Sequence, residues 1–381
     1  MNCNEKLNHN VGGYGVNCIF KKENNFQSNK TILLKEAQTI QTSGAYEAEV
    51  FTIGRNLYYM AIANWSDGKN NRQYSPIFKW NKGKFGQIQS VITNGACGVE
   101  AFTIDGKSFL AVANYSDGEN YSIDSVIYRW NGSFFEEFQK IGTTGAVGWK
   151  FFRINQDNFL AVANSRNNSG NRVDSVIYRW DGTRFVEMQR IPTIGALNWE
   201  FFTIDNHSYL VVANHADGKD DNINSKTYQW NGARFLESQN IRTNGAHHWV
   251  YFEIKNEKFL AVANCKQGES YNIDSAIYCW NGNRFELFQS IPTHGIHSWE
   301  FFRHNGDYYL FACNTFDGNS VAIQSALYKW NGLQFSEELF VTTKAGINCK
   351  AFAVDGKTYL AVMQCSDGVS YVTDSVIYQL L

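Results

Sequence analysis

One hexapeptide returns along this chain at intervals of about fifty residues. Phe109-Leu-Ala-Val-Ala-Asn114 recurs as Phe159–Asn164, Tyr209–Asn214, Phe259–Asn264 and Tyr309–Asn314, with looser copies at Tyr59–Asn64 and Tyr359–Gln364. A second segment, Ser125-Val-Ile-Tyr-Arg-Trp130, keeps the same spacing and ends at Trp80, Trp180, Trp230, Trp280 and Trp330; in the last copy Leu380 stands in place of the tryptophan. A fixed period of this length marks a repeat architecture, in which each unit is one supersecondary element. Four short runs rich in Phe, Tyr, Val and Ile fill each unit, exemplified by Trp149–Ile154, Phe159–Asn164, Ser175–Trp180 and Arg184–Ile191. Turn dipeptides such as Asp105-Gly106, Asn131-Gly132 and Asp355-Gly356 separate them, and no helical periodicity of useful length intervenes. Four strands per unit and seven units predict an all-β fold, a seven-bladed β-propeller of four-stranded antiparallel blades.

The ends of the chain sharpen this to a closed ring. The seventh unit stops at Leu381 after its third strand, and the missing fourth strand stands ahead of the first unit as Leu33–Ile40. A sheet edge left open invites pairing with other chains, which closure by an N-terminal outer strand removes. The division is therefore a polar tail over 1–30 and a propeller over 31–381.

Repetition also sorts the aromatic residues. Trp80, Trp130, Trp180, Trp230, Trp280 and Trp330 recur once per unit and are expected to fill the packing between blades. Trp149, Trp199, Trp249 and Trp299 form a second column ahead of the first strand, either packed or lining the channel mouth, and Trp65 stands outside both. The strand-end asparagines from Asn64 to Asn314 and the loop pairs Asp67-Gly68, Asp117-Gly118, Asp217-Gly218, Asp317-Gly318 and Asp367-Gly368 read first as side chains that hold their own loops. Calcium needs several oxygens converging on one point, which this spacing does not supply.

These columns combine as Phe-Phe-x-Ile-(Asp/Asn), Leu-Ala-Val-Ala-Asn, Asp-Gly, Asp-Ser-x-Ile-Tyr-x-Trp-Asn-Gly, Gln-x-Ile-x-Thr-x-Gly-Ala and Trp. The set resembles the EAR repeat, also called the EPTP or epitempin repeat, of the leucine-rich glioma-inactivated secreted proteins and some extracellular adhesion-type proteins. The resemblance runs from about Thr31 to Leu381. It implies a propeller that binds other proteins, often cell-surface receptors, in an adhesive and extracellular setting. Neither a leucine-rich repeat nor a laminin-like domain accompanies it in this chain, so the family's partners are not carried over.

Composition narrows the remaining classes. A formal net charge of −2 argues against nucleic acid as a partner, because phosphate binding needs clustered Lys and Arg. No eighteen-residue apolar run exists, which argues against membrane insertion by a helix. The first thirty residues are polar and lack the apolar core of a secretory signal. The compartment is accordingly open between the extracellular setting of the resemblance and the cytoplasm. Eight cysteines occur without a CxxC pair or a repeating framework, so they are expected to be buried or incidental thiols; a Cys3–Cys18 bridge is left open.

Departures from the repeat carry the functional reading. His215, His247, His248, His294 and His297 concentrate in units four to six. With Trp65, Trp249 and Trp299 they are the candidate binding residues on one loop face. A metal or acid–base site is the sharper reading of these histidines. The expectation is instead exposed loop histidines beside a repeated Trp, with no metal, no cofactor and no catalytic residue. No GxSxG, HExxH or P-loop is present, so an enzyme at the channel mouth ranks last. The leading expectation is a non-enzymatic scaffold for a protein partner, read by loops that differ between units, such as Trp65–Tyr74, Ser165–Val173 and His215–Asn224. The alternative is a multivalent lectin, since aromatic and Asn/Asp-rich loops suit a glycan. Sites repeated in every blade favour the lectin; one irregular patch favours a protein.

Overall fold

The computed structural model describes residues 32–381; Cys3, Cys18 and the polar tail lie outside the described residues. Those described form seven four-stranded antiparallel sheets, each in the strand order of a blade. The first strands touch one another in a cycle that returns from the seventh blade to the first. Blade seven is completed by Leu34–Ser43, which pairs antiparallel with Val372–Leu380 in a register that sets Leu34 opposite Leu380 and Ile40 opposite Ser375. The expected closure is therefore present.

Blade three shows how the sequence builds the unit. Its strands are Ala146–Ile154, Asp157–Asn164, Arg172–Trp180 and Phe185–Ile194. The second strand is buried from Phe159 to Asn164, because neighbouring blades cover both of its faces and leave no polar side. That is why the hexapeptide is a continuous apolar run instead of an alternating one. The alanines within it are fully buried and let adjacent blades approach closely. The first strand begins three residues earlier than its aromatic run suggests. A bulge between Ala146 and Gly148 re-aims the extra residue while the strand continues.

Two polar devices bind blade to blade. The outer-strand Gln189 receives the Phe235 amide N–H on Oε1 at 2.8 Å and donates from Nε2 to the Phe235 carbonyl at 2.8 Å. Gln38, Gln89, Gln139, Gln239 and Gln289 clamp Phe85, Phe135, Phe185, Phe285 and Phe335 in the same way. This explains the Gln of the repeat. Gln189→Leu leaves a donor and an acceptor at Phe235 unpaired and is expected to lower the unfolding free energy by about 1–3 kcal/mol, read from the urea midpoint.

The second device is the residue joining the blades. Gly145 is left-handed, with φ at 56°; its N–H donates to the Tyr121 carbonyl of blade two, and its carbonyl accepts from Ser165 of its own blade. A Cβ there would stand 2.5 Å from the Arg166 carbonyl oxygen. Gly44, Gly95, Gly195, Gly245 and Gly295 repeat the left-handed turn, and only the junction into blade seven departs, with Ala345 at φ 44°. These one-residue junctions bring each second-to-third-strand loop against the start of the next blade, so both kinds of connection share one end of the ring.

Candidate functional site

The first strand of every blade is a sheet edge turned toward the channel, so its outward backbone N–H groups need acceptors. Side chains of the preceding blade provide them. Glu100 accepts from the Phe151 N–H at 2.8 Å, Glu300 from Ala351 at 2.9 Å and Glu47 from Val99 at 3.0 Å. Asn198 and Asn348 do the same for Trp249 and Ala48. Two lysines complete the ring, Lys150 pairing with Glu200 at 2.6 Å and Lys350 with Glu49 at 2.9 Å. Sequence reasoning missed this column, although its signal is present: a charged residue recurs at Glu49, Glu100, Lys150, Glu200, Glu300 and Lys350, once per unit with Val250 as the exception.

Burial dominates the titration of this ring. It pushes Glu47 up to about 8 and Glu100 and Glu300 to about 7, against the opposing pull of Lys350, Lys150 and Lys350 respectively. A carboxyl with a raised folded-state pKa binds its proton more tightly folded than unfolded. Its contribution is complete below the unfolded pKa and is lost as pH rises through the folded one. Stability should therefore fall between about pH 5 and pH 8 on account of these groups. Glu100→Gln should flatten that slope in thermal melts taken across the window.

Above the charged ring, the bulge at the start of each first strand projects one further residue into the channel. These are Tyr46, Cys97, Val147, Leu197, His247, His297 and Ile347, which line a narrow space of about 50 Å³ with the residues that follow them. The residue after each second strand lies higher. Trp65, Tyr115, Ser165 and His215 take part there in lining a wider cavity of about 490 Å³ that also reaches His247, Lys266 and Asp221.

The candidate residues divide between these places. His215 and His247 meet with ring centroids 4.6 Å apart, and His247 and His297 at 3.9 Å. His248 faces the narrow space with Nδ1 buried and unbonded. Burial lowers the pKa of all four: His297 and His248 to about 3, His247 well below its ordinary value, and His215 less far. They are neutral imidazoles inside the channel, which corrects the expectation of exposed loop histidines. His294 stays outside, exposed, with Nδ1 2.6 Å from Asn272 Oδ1. Trp65 packs edge-on to Tyr371 at 5.5 Å.

Trp249 and Trp299 do not reach the loop face. They are 0% and 1% exposed, and their indole N–H groups donate to the Val212 and Val262 carbonyls of the preceding blade. The bulge immediately before each of them absorbs the residue that would have kept them at the mouth. The third-strand tryptophans lie farther out. Trp180, for example, sets its ring edge-on to Phe185 at 5.2 Å and packs on Phe109 of blade two at 5.8 Å.

A cysteine joins the histidines. The donor atoms of His247, Cys265 and His297 all lie within 4.8 Å of one another. No sequence spacing reveals this, because two different backbone devices bring them together. His247 and His297 are bulge residues of blades five and six. Cys265 follows the second strand of blade five, where its N–H donates to the Gly245 carbonyl. Each second-strand end thus faces the bulge of the next blade: His215 meets His247, and Cys265 meets His297.

The repeated polar residues of the loops are engaged locally. Asp67, Asp117, Asp217, Asp317 and Asp367 each accept two backbone N–H bonds from the residues two and three places on. Those bonds hold their carboxyls below the ordinary range. Asn164 Oδ1 accepts from Thr144 while Nδ2 donates to the Asp174 carbonyl, a bracket that the other strand-end asparagines share.

Comparison with known proteins agrees with the repeat. The EPTP domain family matches over residues 84–131, 135–181, 184–231, 234–281 and 284–331. The human thrombospondin-type laminin G domain and EAR repeat-containing protein is 39% identical over 75 residues, and its mouse counterpart 37%. The aligned stretch is 19% of this chain and 11% of either relative, so this chain answers to a small part of those proteins.

Proposed function

This chain belongs to the EPTP repeat family, and from that premise we propose that it is a non-enzymatic binding module that takes a protein partner on the loop face around the channel mouth. The observation that carries the reading is the division of labour in the loops. What repeats there, the Asp and Asn columns, is engaged with its own backbone, while what varies from blade to blade faces outward. Val369 is 96% exposed at the tip of its loop, where Lys69, Glu119, Lys219 and Asn319 stand in other blades. A recognition surface built from such positions is irregular, and irregularity suits one extended protein epitope better than identical sugar sites. A rigid ring also spares the ordering cost that weakens flexible binders.

The test is binding of the intact chain to cells, compared before and after surface proteolysis or enzymatic deglycosylation. The expected result is saturable binding that proteolysis removes and deglycosylation leaves, with a flat glycan array. Exchanging Asp217–Asp220 for Asn167–Gly170 should weaken it. Binding that follows the glycans and ignores the exchange would replace this reading with the lectin.

A further inference from the structure

We propose that His247, Cys265 and His297, with His215 as fourth ligand, form a zinc-class metal site that staples blades four, five and six at the channel mouth. The donor types are those of borderline-soft, tetrahedral ions: imidazole nitrogen and one thiolate. Three donor atoms already lie within 4.8 Å of one another. A tetrahedral zinc ion with bonds of about 2.0–2.3 Å sets its ligands about 3.3–3.8 Å apart, so drawing these three donors together asks for side-chain movement of about one ångström. His215 packs edge-on to His247 with ring centroids 4.6 Å apart; it stands outside the three-donor cluster, so its ring must swing inward to become the fourth ligand.

Two further observations point the same way. The ligands arrive on rigid backbone, two on strand bulges and two at second-strand ends pinned by the junction glycines. Access exists, since His215 and His247 line the wider cavity. The opposing charge nearby is Lys266, which is directed to Asp221 at 3.6 Å. Cys265 is a buried free thiol that burial holds up at about 12, so binding must release its proton to solvent as the sulfur–metal bond forms. With four protein ligands the position is closed, as in structural zinc sites.

The site is tested with the full chain freed of metal by a chelator and titrated with Co²⁺, then with Zn²⁺ in competition. The expected result is one equivalent of tetrahedral Co²⁺ with a sulfur-to-metal charge-transfer band, displaced by Zn²⁺, and a melting temperature raised by one equivalent of Zn²⁺. Cys265→Ser should abolish the charge-transfer band, and His247→Ala or His297→Ala should weaken binding at least about tenfold. His294→Ala, outside the cluster, should leave all of it unchanged. Far-UV circular dichroism of each variant reports whether it is folded, and Cys265→Ser keeps the side-chain size should an alanine variant fail. Absence of the band in the folded parent chain, or its persistence in Cys265→Ser, overturns the proposal.

Discussion

A chain that begins at Gly44 is expected to lose its cooperative unfolding transition, and a synthetic peptide spanning residues 31–45 is expected to restore it. Leu34–Ser43 supplies the whole outer strand of blade seven, paired along Val372–Leu380. Without it the third strand of that blade becomes an open edge, with a row of backbone groups returned to water and to other chains. The side chains lost matter as much. Ile32 and Ile40 are buried in two separate clusters, and Thr42 Oγ1 bonds to the Thr373 carbonyl and to Ser375 Oγ. Gln38 is the clamp that fastens blade seven to blade one through Phe85. The loss therefore breaks the ring at two successive points, and its expected size is comparable with the total stability of a domain, on the order of 5–15 kcal/mol. Far-UV circular dichroism and urea titration measure it. A truncated chain with the parent midpoint and slope would show that closure contributes little.

Much of this fold is legible because the propeller repeats its physics along with its sequence. The split of one unit between Leu33–Ile40 and Ser375–Leu380 identifies the closed ring from sequence alone, since only closure gives both fragments a partner. What escapes is whatever depends on register. Trp249 follows the blade junction in sequence and looks like a residue at the mouth, yet the extra residue at the Ala246–His248 bulge carries it into the contact with blade four. Cys265 has no motif with either histidine, because its distance from His297 is set by the offset between blades. The charged channel ring was open to sequence reasoning as a column from Glu49 to Lys350. Its role was not, because an unpaired strand edge that needs acceptors exists only once the ring is assembled.

The two tryptophan columns should differ in energetic weight, with Trp249→Ala the costlier change. Trp249 is fully buried among Tyr209, Val211, Leu260 and Val262, and its indole N–H satisfies the Val212 carbonyl at 3.1 Å. Truncation leaves a cavity that a rigid junction between two sheets cannot collapse, costing about 3–5 kcal/mol. The abandoned carbonyl adds about 1–3 kcal/mol if water does not reach it. Trp180 is half-buried, and its Nε1 makes no hydrogen bond, so Trp180→Ala forfeits apolar contact with Phe109 and Phe185 and no polar partner. Its expected cost is about 2 kcal/mol, near that of one buried side chain. Trp249→Phe separates the two parts of the larger effect: it keeps an aromatic ring in the contact and removes the donor, so it should fall between the parent and the alanine variant. Urea midpoints at constant slope give the ranking directly. Equal costs for Trp249→Ala and Trp180→Ala would mean that the blades are held mainly by their outer strands, and that the indoles around the channel only fill space.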